Sequence, residues 1–383
     1  MRLQRGVISV DDHVQEHPEV WKSRMSWAKF GDRIPHVERQ PEGTERWMVD
    51  GKVVSLLGAA SDGVAAVGAA MPDPTREPRT WSEVPTVAYV PHERLRAMDM
   101  DGIDVSVLYP NVAGLAGETL GRIADSELEL ACVRAYNDFL VEEWAKTSER
   151  FVPQCIVPLG PIEEAVFEVR RAVAKGHRGV VFPAVPWHLR PVPHINEPYW
   201  DPLWTAAEEL DVPLCLHAGS SEMIQFPADP RTLSPELQAA LRNITRPASS
   251  IQVVANFLYS GILERHPRLR VVFAESTITW GAYELEIADH HHERMRIGLE
   301  GHPVKPSELF RRQCFYTGWY DRAGIKARRH IGTEHILWGT SFPLTTSTWP
   351  NTKTYLERAM SGVPADEQDK IKWANAARLY HLV

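Results

Sequence analysis

Hydrophobic and polar positions in this chain alternate between two patterns: short apolar runs rich in β-branched residues, and longer stretches with helical spacing. The first apolar run (Val7, Ile8, Val10) ends in Asp11-Asp12-His13-Val14-Gln15-Glu16, and Pro18 follows. It predicts a buried strand that closes in a turn. Residues 21–91 break the rhythm and are rich in Pro, Gly and charge. Within them, residues 46–57 alternate around Asp50-Gly51, a dipeptide suited to a two-residue hairpin turn. From residue 92 helical stretches alternate with apolar runs at Val105-Val107-Leu108-Tyr109, Phe151-Val152 with Ile156-Val157, Val180-Val181-Phe182, Leu214-Cys215-Leu216, Val271-Val272-Phe273, Cys314-Phe315-Tyr316 and Ile336-Leu337-Trp338. With the first run, these predict eight strands separated by helices, the pattern of an α/β (β/α)8 TIM barrel forming a single domain over residues 1–383. Residues 22–91 are then an insertion after strand one, expected as a lid over the catalytic face. Residues 353–382 are expected as extra C-terminal helices packed outside. A doubly wound open sheet is the alternative, but no GxGxxG follows the first strand.

In such a barrel chemistry belongs to the C-terminal strand ends. Strand one ends in Asp11-x-His13, strand five in His217, strand six in Glu275, and strand eight in Gly339-Thr340-Ser341-Phe342-Pro343. Side chains two apart on a strand share a face, so Asp11 and His13 can converge on one point. The same tripeptide could equally form a turn in which Asp11 caps a helix and His13 is solvated. Asp11, His13, His217 and Glu275 together offer two imidazoles and two carboxylates, enough for a divalent cation such as zinc. Without a cation, Glu275, His13 and His217 could still shuttle protons, and a non-catalytic ligand-binding role also stays open. Asp12 and Glu16 are candidates to orient a histidine or to serve in turns. Trp187, Trp280 and Trp349 follow strands four, six and eight as pocket-wall or packing residues. The run His290-His291-His292 is expected to be surface or packing residues, because consecutive helical positions face different ways. His177 sits at the wrong end of the barrel for chemistry. His188 and His194 lie in a Pro-rich loop on the catalytic side.

Composition narrows the classes. The 383 residues carry a formal charge of −8, which argues against nucleic acid and anionic membrane as partners. Cys132, Cys155, Cys215 and Cys314 stand far apart, as expected of reduced thiols in a cytoplasmic protein. No signal peptide fits the start, and the apolar stretch of residues 53–71 is broken by Ser61 and Asp62, so no membrane span is expected. The expected partner is a small molecule, and the expected assembly a homodimer.

Four segments carry a family resemblance: Asp11-Asp12-His13-Val14-Gln15-Glu16; Pro213-Leu214-Cys215-Leu216-His217; Ser260-Gly261-Ile262-Leu263-Glu264-Arg265-His266-Pro267 running on to Phe273-Ala274-Glu275-Ser276; and Trp338-Gly339-Thr340-Ser341-Phe342-Pro343. The chain resembles the amidohydrolase-2 family, in its aminocarboxymuconate-semialdehyde and resorcylate decarboxylase-like branch. The resemblance implies a TIM-like barrel with one divalent metal, zinc or manganese. It implies ligands from an acid-x-His on strand one, a His after strand five and an Asp after strand eight, with a His after strand six in acid/base work. It further implies decarboxylation of aromatic or unsaturated acids, or hydrolysis of small substrates. Asp11, His13 and His217 match that pattern. Ser341 stands at the strand-eight Asp, Leu344 at the His that often follows it, and Glu275 at the strand-six His. The expected catalytic set here is therefore Glu275, His217 and Ser341. The alternatives are a metal-free isomerase, cyclase or C–C lyase using Glu275, and a ligand-binding homologue.

Overall fold

The computed structural model describes residues 6–56, 63–220 and 233–382. Its parallel strands are β1 (Ile8–His13), β2 (Val105–Tyr109), β3 in two pieces (Phe151–Pro153 and Cys155–Ile156), β4 (Val180–Val181), β5 (Leu214–His217), β6 (Val271–Ala274), β7 (Cys314–Gly318) and β8 (Ile336–Trp338). Each pairs with the next in chain order. The break in β3 falls at Gln154: the first piece pairs with β2 and the second with β4. Backbone bonds close the seam between β8 and β1. Ser341 N–H donates to Asp11 O and His13 N–H to Phe342 O, both at 2.7 Å. The result is a TIM barrel.

Burial explains why the strands read as continuous apolar runs. Every residue of β1 is buried, as is every residue of β2, β5, β6 and β7. A parallel sheet wrapped by helices has no solvent face to make polar. The helices show the complementary one-sided pattern. Ile162–Lys175 buries Ala165, Glu168, Val169 and Ala172, one stripe at helical spacing, and stops at Gly176 with φ +117°. Ser126–Phe139 begins where Asp125 accepts hydrogen bonds from the N–H groups of Glu127 and Leu128.

Within the excursion after β1, strands Glu45–Val49 and Lys52–Val54 pair antiparallel about Asp50 and Gly51, both at positive φ (51° and 71°). A third strand, His36–Arg39, pairs on the other side of Glu45–Val49. Leu57, the far end of the expected hairpin, lies outside the described residues. Residues 66–69 of the excursion lie against loops that follow β1, β2 and β8. Ala66 N–H donates to Gln15 Oε1 (3.0 Å), Asn111 Nδ2 to Ala66 O (3.3 Å) and Ala69 N–H to Pro343 O (3.1 Å).

The C-terminal helices Thr352–Ala359, Ala365–Asp369 and Asn375–Leu379 pack on the barrel, but the chain beyond them does not stay outside. Tyr380 is fully buried, with its hydroxyl 3.6 Å from Cys215 Sγ of β5. Arg178, just before β4, donates to Tyr380 O at 3.1 Å. The tail therefore plugs the N-terminal end of the barrel. Among the described residues no helix is long and apolar enough to cross a membrane.

Candidate metal centre

The first strand is less regular than its sequence suggests. Its pairing with β2 advances from Ser9↔Ser106 to Asp12↔Leu108, three residues against two, so β1 carries a bulge at Val10 and Asp11. Bulges re-aim side chains beside active sites. Here the bulge leaves Asp11 and His13 pointing at the same spot while Asp12 turns away. Gly339 leaves room for this: a Cβ there would meet Asp11 Cβ at 2.9 Å and Thr317 Cγ2 at 3.0 Å.

Asp11, His13 and His217 come together at the C-terminal mouth, each fully buried. Asp11 Oδ1 lies 3.5 Å from both His13 Nε2 and His217 Nε2, which are 3.3 Å apart. His13 Nδ1 faces Pro110 O at 3.0 Å and His217 Nδ1 faces Ala218 O at 2.9 Å. A carbonyl can only accept, so each Nδ1 carries the proton and each Nε2 turns its lone pair into the triangle. Among the described residues neither Asp11 oxygen has a hydrogen-bond partner. Three electron-pair donors thus face one another at 3.3–3.5 Å, an arrangement that costs several kcal/mol unless a cation or a proton is shared among them.

The residues fit a divalent cation. A point equidistant from three atoms so spaced lies about 2 Å from each, the length of a zinc–nitrogen or zinc–oxygen bond. Without a cation, one proton can take its place. Burial alone would lower the His217 pKa, but the Asp11 carboxylate pushes it up to about 9. Burial alone would raise the Asp11 pKa, but His217 and His13 hold it below the usual carboxylate range.

Glu275 stands outside this triangle, 3.9 Å from His217 Nε2. Its Oε1 accepts from Thr346 Oγ1 (3.0 Å), and its Oε2 lies 3.5 Å from an Arg246 guanidinium nitrogen. Ser341 is buried at the end of β8, and among the described residues its hydroxyl has no partner. Glu275 and Ser341 both have φ near +50° (48° and 53°). Non-glycine residues rarely hold that conformation, and it concentrates at functional sites. Arg246 and Tyr109 are additions that the strand-end reading did not select. Arg246 comes from helix Pro235–Ala248. The Tyr109 ring, at the end of β2, lies 5.4 Å from that of His217; the same strand-end rule applied to β2 would have named it.

The other candidates make contacts of their own. Asp12 accepts from the hydroxyls of Ser9, Ser106 and Thr340 and from Phe342 N–H, tying β1 to β2 and β8. Glu16 accepts from the N–H groups of Asn111, Val112 and Ala113 and holds the loop after β2; burial pushes its pKa up to about 7. His290 and His291 are exposed, while His292 is buried with Nε2 2.8 Å from His302 O. His177 Nε2 is 3.0 Å from Asn137 O. His194 stacks on Trp187 at 3.7 Å and His188 is exposed. Trp280 Nε1 donates to Ser276 O and Trp349 Nε1 to Ala97 O.

A parallel barrel with two imidazoles and a carboxylate converging at its C-terminal mouth is the arrangement of barrel enzymes, and the three side chains could hold a divalent metal. The family is specific as well. The amidohydrolase family model matches residues 86–382, and the chain belongs to that family. The match begins beyond β1 and does not include Asp11 and His13. Gamma-resorcylate decarboxylase of Polaromonas sp. (strain JS666 / ATCC BAA-500) is 24% identical over 314 residues, 79% of this chain and 91% of the relative. An amidohydrolase from Mycobacterium avium subsp. paratuberculosis shares the fold with a TM-score of 0.74 at 20% identity, over 98% of this chain and 99% of that one. Dihydroxybenzoic acid decarboxylase from Polaromonas sp. JS666, solved with manganese and the inhibitor 2-nitroresorcinol, gives a TM-score of 0.67 at 20% identity, covering 99% and 98% of the two chains.

Proposed function

We propose that this protein is a metal-assisted decarboxylase of a small aromatic carboxylic acid, with zinc or manganese held by Asp11, His13 and His217. The observation that carries the proposal is the pair of unpartnered Asp11 oxygens facing two imidazole lone pairs. When bound, the cation would supply positive charge against substrate oxygens in a water-poor site. Arg246 lies beside Glu275, where it can take up the charge of an incoming carboxylate. Glu275, 3.9 Å from His217 Nε2, delivers a proton to the ring carbon that bears the carboxylate. The bond from that carbon to the carboxylate then breaks, carbon dioxide leaves, and the bonding pair restores the aromatic ring. Glu275 is left as a carboxylate and regains its proton from solvent, while the Thr346 hydroxyl holds Oε1 in place. Ser341 has no acidic proton to offer near neutral pH. We propose that the described part of residues 22–91 forms a lid over the mouth, on the bonds that Ala66 and Ala69 make to Gln15, Asn111 and Pro343.

A metal-free reading has one observation in its favour: a proton on His217 also satisfies the triangle. Glu275 would then shuttle protons with His13 and His217 in an isomerisation, cyclisation or C–C cleavage. Incubation with 2,6-dihydroxybenzoate and a panel of other aromatic acids, with added manganese or zinc and with chelator, separates the two. Carbon dioxide and the matching arene should form only when metal is present. Turnover that survives chelation would favour the metal-free reading, and no carbon dioxide from any acid would remove the decarboxylase proposal.

A further inference from the structure

The loop after β6 is held by a residue outside the catalytic constellation. Glu275 and Thr277 both sit at positive φ, 48° and 53°. For a β-branched residue such as Thr277 that conformation is an outlier. Strain of this kind persists only where the surroundings fix it.

Asp321, between β7 and helix Arg322–Lys326 and only 5% exposed, supplies the fixing contacts. Its Oδ1 accepts from the Thr277 hydroxyl, from Ile278 N–H at 3.1 Å and from the Thr279 hydroxyl at 2.9 Å. Its Oδ2 accepts from Trp319 N–H at 3.3 Å. Two glycines let the pieces approach this closely. A Cβ on Gly318 would meet Asp321 Oδ2 at 2.7 Å, and one on Gly324 would meet Ile278 Cγ1 at 2.4 Å. On the near side of the loop the Ser276 hydroxyl donates to Phe273 O at 2.7 Å, so the chain from Phe273 to Thr279 is pinned at both ends. Glu275 lies inside that span.

We propose that Asp321 is a positioning residue: by clamping Thr277, Ile278 and Thr279 it holds Glu275 in its left-handed conformation, with the carboxylate between His217 and Arg246. The proposal rests on the proton-delivery role assigned to Glu275 above. Asp321 itself touches none of the metal-binding residues, so its effect must pass through Glu275. Asn at this position keeps an oxygen for the three donors on Oδ1 and loses only the Trp319 contact, whereas Ala loses all four.

Crystal structures of Asp321→Ala and Asp321→Asn test the clamp without reference to activity. In Asp321→Ala, Glu275 should leave positive φ and its carboxylate should move away from His217; in Asp321→Asn both should stay. Kinetics with an aromatic acid that the wild type decarboxylates should show kcat falling about 100-fold in Asp321→Ala with KM little changed, as a displacement near 1 Å can cause. Asp321→Asn should recover most of that loss. In a Glu275→Gln background the further change Asp321→Ala should cost almost nothing, which a general loss of folding would not produce. An unmoved Glu275 in Asp321→Ala, or additive losses in the double variant, overturns the proposal. If the wild type decarboxylates no acid, the functional reading fails separately, and the crystal structures still decide the clamp. Should Asp321→Ala fail to fold, the Asp321→Asn structure decides, and a displaced Glu275 in it would be contrary to the proposal.

Discussion

Replacing Ser341 by Asp should make the stability of this protein depend sharply on metal. Ser341 is buried, its hydroxyl has no partner, and its N–H is bonded to Asp11 O at 2.7 Å. Its φ of +53° suits Asp, which tolerates the left-handed region better than most residues. The substitution therefore adds a buried carboxylate on the residue whose N–H meets Asp11 O, with little backbone cost. Without a cation, like charges at contact distance repel by about 4 kcal/mol at an effective dielectric constant of 20, before any cost of burial. Partial protonation relieves some of this, so a loss of about 3 kcal/mol is reasonable. Unfolding entropy of about 2 cal/mol/K per residue converts that loss into a fall in Tm of roughly 4 °C for a chain of this length. Metal at about 100 times its Kd returns about 2.7 kcal/mol, nearly the whole loss. Thermal unfolding of chelator-stripped wild type and variant, followed by titration of zinc or manganese, measures both halves. A stripped variant as stable as wild type, or one that gains no more from metal than wild type does, would refute the reasoning.

Two further outcomes follow from the same geometry. In stripped wild type, His217 has a folded pKa of about 9 against an ordinary 6.5, so its contribution is complete below 6.5 and disappears as pH rises through 9. Denaturant unfolding should show a loss of up to about 3 kcal/mol across that window, metal affinity should rise with pH over the same range, and a flat profile would contradict the proton-for-metal exchange. Gly339→Ala forces a Cβ to within 2.9 Å of Asp11 Cβ; it should cost about 1–3 kcal/mol and lower the bound metal measured by elemental analysis, and unchanged metal content would show that Asp11 has slack.

Much of the barrel is legible in the sequence because its strands are buried on both faces and spell uninterrupted apolar runs. The strand-end rule then names Asp11, His13, His217, Glu275 and Ser341 without structural help. What it cannot supply is anything set by long-range packing. The bulge at Val10 and Asp11 depends on register against β2 and leaves no local signature. Asp12 is indistinguishable from Asp11 by composition, yet one points into the mouth and the other binds three hydroxyls. Arg246 reaches Glu275 from a helix whose placement the local pattern does not fix. His36–Arg39 is a strand only because Glu45–Val49 pairs with it; its own residues alternate too weakly to announce one. The tail reads as outer helices because nothing in its sequence reveals that Tyr380 ends beside Cys215.

The most direct test of the account is elemental analysis of wild-type protein purified without chelator, alongside Asp11→Ala and His217→Ala variants shown by circular dichroism to be folded. About one equivalent of zinc or manganese per wild-type chain is expected, with little or none in either variant. Wild-type protein that holds no divalent metal even after incubation with excess zinc and manganese, or folded variants that hold as much as wild type, would contradict the assignment of Asp11, His13 and His217 as the metal centre.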